Sequence, residues 1–269
     1  MGQLALQKTA SLKPVSATSP NLPDYKFDTN AETQLLDLAN QARAKAGEAP
    51  LRLDPGLSAA ARFHAKAMAA TGQISHRFDG EPVLTVRLAS ATSLRLERAG
   101  ENVALDSDPE DAHERLMESP PHRENLLNSA YDVVGLGVVS AGGRLYIVQD
   151  FGRSLPSLSA IEMKNRVANA VAGMRQQSNQ LVLPRHDLAE ADAAACSMAQ
   201  ADTLSTLAIR QLAARYGVLT YTTQHPEQLP AGADAALSAH DLRSFSIGGC
   251  FSRTKTYPAG VYWIVLTLR

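Results

Sequence analysis

Apolar residues recur along this chain with two periods, and the switches between them outline its elements. From Ala31 the spacing of Leu35, Leu36, Leu38, Ala39, Ala42 and Ala46 predicts a helix that stops at Gly47. Pro50-Leu51-Arg52-Leu53 reads as a short extended piece. Asp54-Pro55 opens a second helix, SAAARFHAKAMAATG, ending at Gly72, and a third short helix is expected over 82–91. Asp108-Pro109-Glu110 starts a fourth. VVGLGVV and RLYIVQDF, separated by Ser-Ala-Gly-Gly, predict a hairpin. Helices followed by an antiparallel hairpin imply α/β layers around one sheet.

After Ser154-Leu155-Pro156-Ser157 the order recurs. IEMKNRVANAVAGMRQQ resembles the first helix, and QLVLPRHDLAEADAAACSMA can be laid on PLRLDPGLSAAARFHAKAMA with one insertion. YGVLTYTTQHPEQ aligns without gaps on AGENVALDSDPED, and FSIGGCFS with GVYWIVLTL repeats the hairpin. The expected organisation is a flexible arm (1–30), a first domain (31–153), a linker (154–157) and a second domain (158–269) that is a decayed copy of the first. On this alignment Glu101 falls on Val218, His64 on Ala195 and His122 on Ala235, so the second half loses the polar chemistry and keeps the apolar pattern.

Composition narrows the function classes. The net charge of −1 gives no electrostatic case for nucleic acid, and 5% aromatic residues argue against a nucleotide-stacking surface. No apolar run approaches the ~20 residues needed to span a bilayer. The start, MGQLALQKTASLKPVSATSP, reads as neither a signal peptide nor a lipidation site, and fits what remains after a leader is removed. Cys196 and Cys250 are compatible with one bridge in an oxidising compartment and equally with two buried thiols. No GxSxG elbow and no phosphate-binding glycine loop is present.

The chemistry-bearing residues gather in the first half. Glu101 in AGENVAL and His122 in SPPHRENLLN each follow backbone-fixing residues, and His76 lies upstream in GQISH. Two imidazoles and one carboxylate suit either an open site for zinc or another divalent cation, or metal-free general acid/base work. Equally, Glu101 can brace its own loop and His122 can cap a helix. His64, among helix alanines, is a minor candidate for the same cleft.

Taken in order, LLDLANQARAKAGEAPLRLDPGLSAAARFHAKAMAATGQISH, AGENVA, SPPHRENLLNSAYDVVGLGV and YIVQDFG resemble the CAP superfamily (cysteine-rich secretory, antigen 5 and pathogenesis-related proteins; SCP domains), in its bacterial, cysteine-poor form. The resemblance implies an α-β-α sandwich with a central cleft, followed here by a degenerate CAP-like half, in a protein that is secreted or in the periplasm or cell envelope. In animal and plant members two histidines and two acidic residues line the cleft and can take a divalent metal. His76, Glu101 and His122 match three of the four. The fourth falls near Ser119, with Glu118 one step away, and Leu116 replaces the usual aromatic. Implied partners are a lipid or sterol, a cell-wall component or a protein. A ligand- or partner-binding module is the first expectation. A metal-dependent, peptidase-like hydrolase and a purely structural interaction protein are the alternatives.

Overall fold

The computed structural model describes residues 25–269, so most of the arm expected over 1–30 lies outside the described residues. Its last part belongs to the fold: Phe27 bridges Val139, and Asp28 caps the first helix through its carboxylate on the Ala31 N–H. The elements of the first half are α1 (Thr29–Lys45), β1 (Arg52–Leu53), α2 (Pro55–Thr71), α3 (Leu84–Ala91), β2 (Arg95–Asp106), α4 (Pro109–Glu118), α5 (Pro120–Leu126), β3 (Val133–Ala141) and β4 (Arg144–Leu155). The sheet order is β1-β3-β4-β2, with β1 parallel to β3 and the remaining pairs antiparallel.

Both sheet faces are covered. Leu35 and Ala39 of α1, Leu116 of α4 and Leu126 of α5 pack on Val134, Leu136, Val138 and Ile147. Ala61, Ala65 and Met68 of α2 pack on Val103, Val139 and Val148 from the other side. Because alternate strand residues face opposite sides, a sheet buried twice reads as a continuous apolar run, and VVGLGVV is one. The first half is therefore an α-β-α sandwich.

The second half contains α6 (Ala160–Gln177), β5 (Arg185–His186), α7 (Ala189–Ala201), α8 (Arg210–Ala213), β6 (Gly217–Thr223), α9 (Ala233–Leu237), β7 (Phe245–Ser252) and β8 (Val261–Leu268). Its sheet order, β5-β7-β8-β6, repeats that of the first half, again with only the shortest strand parallel. Since β4 runs to Leu155 and α6 begins at Ala160, the connection is residues 156–159, two positions later than expected.

Two packing details recur in both halves. A Cβ on Gly135 would meet the Leu57 backbone at 2.1 Å, and one on Gly248 the Ala191 backbone at the same distance. Each glycine lets a helix cross its strand at contact. Arg43 near the end of α1 donates to the carbonyls of Ala49, Leu126, Asn128 and Tyr131. Arg175 near the end of α6 donates to those of Leu181, Leu237 and Ala239.

These landmarks correct the sequence alignment in register. In the strand row containing Gly135, Glu101 and Asp150 lie abreast; in the row of Gly248 the residues are Thr220 and Val265. Thr220, two positions past Val218, is thus the counterpart of Glu101. Counting from the helix crossings, Met198 rather than Ala195 takes the place of His64. Ala235 is the third residue of α9, as His122 is of α5. Alanine-rich helices contain no feature to fix their register, which is why the alignment slipped there.

Candidate functional site

Glu101 sits on a strand, not in a loop. AGENVAL is the centre of β2, the edge of the sheet beyond β4, with Glu101 opposite Asp150. Gly100 has no room for a side chain: a Cβ would lie 2.4 Å from the Tyr131 hydroxyl and 3.0 Å from Asn125 Oδ1. Glu101 and Asn102 point to opposite faces, and both are buried because both faces are covered.

On the α2/α3 face a buried ionic cluster surrounds Arg87 of α3. Its guanidinium donates to Glu101 Oε2 and, at 3.3 Å, to Glu81 Oε1, and lies 3.8 Å from Asp150 Oδ1. Glu101 Oε1 bonds the Nδ1 of His76 at 2.9 Å. His64 is fully buried, its Nδ1 2.7 Å from Glu81 Oε1 and its Nε2 2.7 Å from the Ser75 carbonyl oxygen. Both ring nitrogens are thus engaged within the protein. Burial first, then the charge of Glu101, push the Asp150 carboxyl well above the usual carboxylate range, against the opposing pull of Arg87.

The opposite face of β2 is tied to α5. The Asn102 side-chain amide donates to the His122 carbonyl (3.1 Å) and to Gln149 Oε1 (3.2 Å). That of Asn125 donates to Asn102 Oδ1 (2.9 Å) and the Glu101 carbonyl (3.2 Å). The segment after Ser119 is helix α5, whose two prolines occupy its start, where no N–H is needed. His122 Nδ1 bonds Ser119 Oγ at 2.8 Å. Burial, then the nearby His76, lower the His122 pKa from its ordinary value.

The expected residues therefore divide. His76 and Glu101 are in contact, and His122 stands close enough for His76 to depress its protonation. Ser119 joins His122, whereas exposed Glu118 makes no bond to the cluster. His64 is buried beneath the site rather than lining it. Glu81, Arg87 and Asp150 were missed by sequence reasoning. Asp150 in YIVQDF interrupts an apolar strand with a charge, and that anomaly was the available signal.

The donor set does not suit a divalent cation. Both Glu101 oxygens are engaged, one by a guanidinium, and His122 Nδ1 is engaged by Ser119. Among the described residues no group of three or more His, Cys, Asp or Glu is arranged to hold an ion. What remains open to a ligand is the Nε2 of His76, whose side chain is 61% exposed, and that of His122.

Elsewhere, a groove of about 530 Å³ runs between α1 and α4, lined by Leu38, Ala42, Lys45, His113, Met117 and Leu127. His113 Nδ1 is buried there without a partner, and burial followed by the charge of Lys45 lowers its pKa. In the second half Cys196 and Cys250 form a disulfide with Cα atoms 5.0 Å apart. No helix among the described residues is long and apolar enough to cross a membrane.

Known proteins resemble the first half. Residues 36–151 match the CAP family, described as the cysteine-rich secretory protein family. The uncharacterized protein YkwD of Bacillus subtilis is 30% identical over 141 residues, which are 51% of this chain and 54% of that protein. The uncharacterized membrane protein YlbC of the same organism is 35% identical over 127 residues, 47% of this chain and 35% of that one. This chain thus spans about half of the first relative and about a third of the second. Among solved structures, an extracellular protein containing a SCP domain from Bacillus anthracis is 29% identical, with 46% of this chain and 41% of that one covered at a TM-score of 0.43. With its ordered blocks and its α-β-α layers, the segment 36–151 is the part of the chain that matches the CAP family.

Proposed function

We propose that the protein is an exported CAP-domain binding module whose ligand or partner docks at the cleft around His76, Glu101 and His122. The observation that carries this reading is the engagement of Glu101. A general base or metal-ligating carboxylate needs a free oxygen, and here Arg87 and His76 occupy both. The two imidazoles, each pinned through Nδ1, offer fixed Nε2 atoms for recognition. The α1/α4 groove, where Leu38, Ala42, Met117 and Leu127 lie beside Lys45, Glu110 and Glu114, offers apolar and charged surface to an amphipathic, lipid-class ligand. The Cys196–Cys250 bridge supports export, since such bonds persist in oxidising compartments. The repeated strand order and the paired Arg43 and Arg175 anchors support the second half as a degenerate copy, which serves as scaffold or docking surface.

The test combines binding and turnover. Palmitate, a sterol and short peptides are titrated into isotope-labelled protein while amide and imidazole resonances are followed. At least one is expected to saturate, with binding weakened by His76→Ala, His122→Ala or His113→Ala. Hydrolysis of peptides or esters that a chelator abolishes, and that His76→Ala removes, would replace this reading with the metal-dependent hydrolase.

A further inference from the structure

A cleft of about 400 Å³ opens between the two halves. Thr85 of α3 forms its wall on one side, and Thr222, Thr223, Gln224, Thr256 and Tyr257 line the other with residues 258–261. None of these residues carries a charge, although one residue in five of the chain does. A smaller cavity of about 130 Å³ continues from it, sharing Thr85, Gln224 and Ala259. The size is that of a small-ligand site.

The halves are joined by two arginines, by the contact of His225 with Glu97 and by one bond from Gln224. Arg95 donates to the Pro156 and Gln224 carbonyls and the Tyr262 hydroxyl, and Arg253 to the carbonyls of Ala89, Thr92 and Leu94. In the cleft, Gln224 donates from Nε2 to the Leu96 carbonyl at 3.3 Å, and its side-chain oxygen Oε1 has no partner among the described residues. The Thr85 hydroxyl likewise bonds no described residue. Thr222 donates to the Tyr257 oxygen at 3.2 Å, which leaves the phenolic hydrogen to donate onward. Threonine side chains have few rotamers, so their hydroxyls are held in place before a ligand arrives. The Tyr257 ring is itself fixed, edge to face on Trp263 with centroids 5.8 Å apart.

We propose that this cleft binds a neutral carbohydrate of one or two pyranose rings. Such rings present an apolar C–H face and a rim of hydroxyls that both donate and accept. A fixed aromatic ring with its phenolic hydrogen, the Thr85 hydroxyl and a half-free amide, with no charge in the lining of the larger cleft, match that chemistry. An anionic ligand would find no cation in the lining of the larger cleft, Arg98 and Glu97 lying together only in the smaller cavity, and a lipid tail would bury hydroxyls without partners. The site is separate from the His76/His122 cleft, and neither stands on the other.

Trp263 is the chain's single tryptophan and is buried against Tyr257, so its emission reports occupancy of the cleft. Cellobiose, N,N′-diacetylchitobiose and maltose are titrated into the full chain, with glucuronate and glucose 6-phosphate as charged controls. At least one neutral disaccharide is expected to give a saturable emission change. Tyr257→Ala should weaken it at least about tenfold and Tyr257→Phe by no more than about threefold. The isosteric Thr85→Val, which removes an unbonded hydroxyl without a volume change, should also weaken binding and guards against misfolding of the alanine variant. The proposal is overturned if no neutral disaccharide saturates by about 10 mM. It is equally overturned if the charged sugars bind more tightly, or if Tyr257→Ala and Thr85→Val leave binding intact.

Discussion

Asp150 shows how one residue can set the pH behaviour of a fold. Its carboxyl is wholly buried, and neither oxygen has a hydrogen-bond partner among the described residues. A carboxyl whose folded pKa lies above its unfolded value near 3.8 retains a proton that the unfolded chain gives up. Native protein then binds more protons than unfolded protein, so stability falls as pH rises from that unfolded value up through the raised one. The slope is at most about 1.4 kcal/mol per pH unit for one proton. Asp150→Asn reproduces the protonated form at every pH. Urea denaturation between pH 5 and pH 8 should show this decline in the wild-type protein and a flatter profile in the variant, which should be no less stable at pH 8. His122 contributes with the opposite sign, since its lowered pKa costs stability as pH falls below the unfolded histidine value of 6.5. Arg87 is the complement of Asp150. Arg87→Met leaves Glu81 and Glu101 buried beside one another without a cation, and should cost about 3–5 kcal/mol in the same assay. Lysine should rescue little, because one ammonium cannot fork between two carboxylates.

The elements are held by devices of different visibility. Arg43 and Arg175 each bind carbonyls contributed by separate segments, so each anchors a helix end to the loop after a short helix. Arg43→Met should cost about 3 kcal/mol or more by denaturation, since several buried carbonyls lose charged donors together. Neither arginine stood out in the sequence, where each resembles an ordinary basic residue in a last helical turn. The helix and strand pattern was legible because periodicity reports burial directly: α2, α4 and the β3–β4 hairpin lie where the apolar spacing and Asp-Pro starts put them. AGENVAL was read as a loop because Gly100, Glu101 and Asn102 are poor strand formers. Tertiary contacts with Arg87, Tyr131 and Asn125 outweigh that propensity. His76 and Glu101 could be paired from their surroundings, but the cluster beneath them could not. Its members come from α2, α3, β2, β4 and a loop, and no local spacing encodes their meeting.

At the scale of the whole molecule, the disulfide and the interface arginines act on different parts. Cys196 and Cys250 tie α7 to β7 across 54 residues, all within the second half. A loop of that length restrains the unfolded chain by about 4 kcal/mol on the chain-entropy account. How far its loss reaches depends on Arg253, whose three carbonyl acceptors all belong to the first half, and on Arg95, which lies stacked near the rings of Phe251 and Tyr262. With both arginines in place the halves should melt together, and a reducing agent should lower a single shared transition. Arg253→Ala removes one clasp while leaving both hydrophobic cores intact, so unfolding should separate into two transitions. Reduction should then shift only the one belonging to the second half. Calorimetry of wild type and variant, each with and without dithiothreitol, resolves this. If reduction lowered both transitions of Arg253→Ala equally, the coupling would run through contacts other than this arginine, and the second half would not be the separately cored scaffold that its own sheet and helices make it.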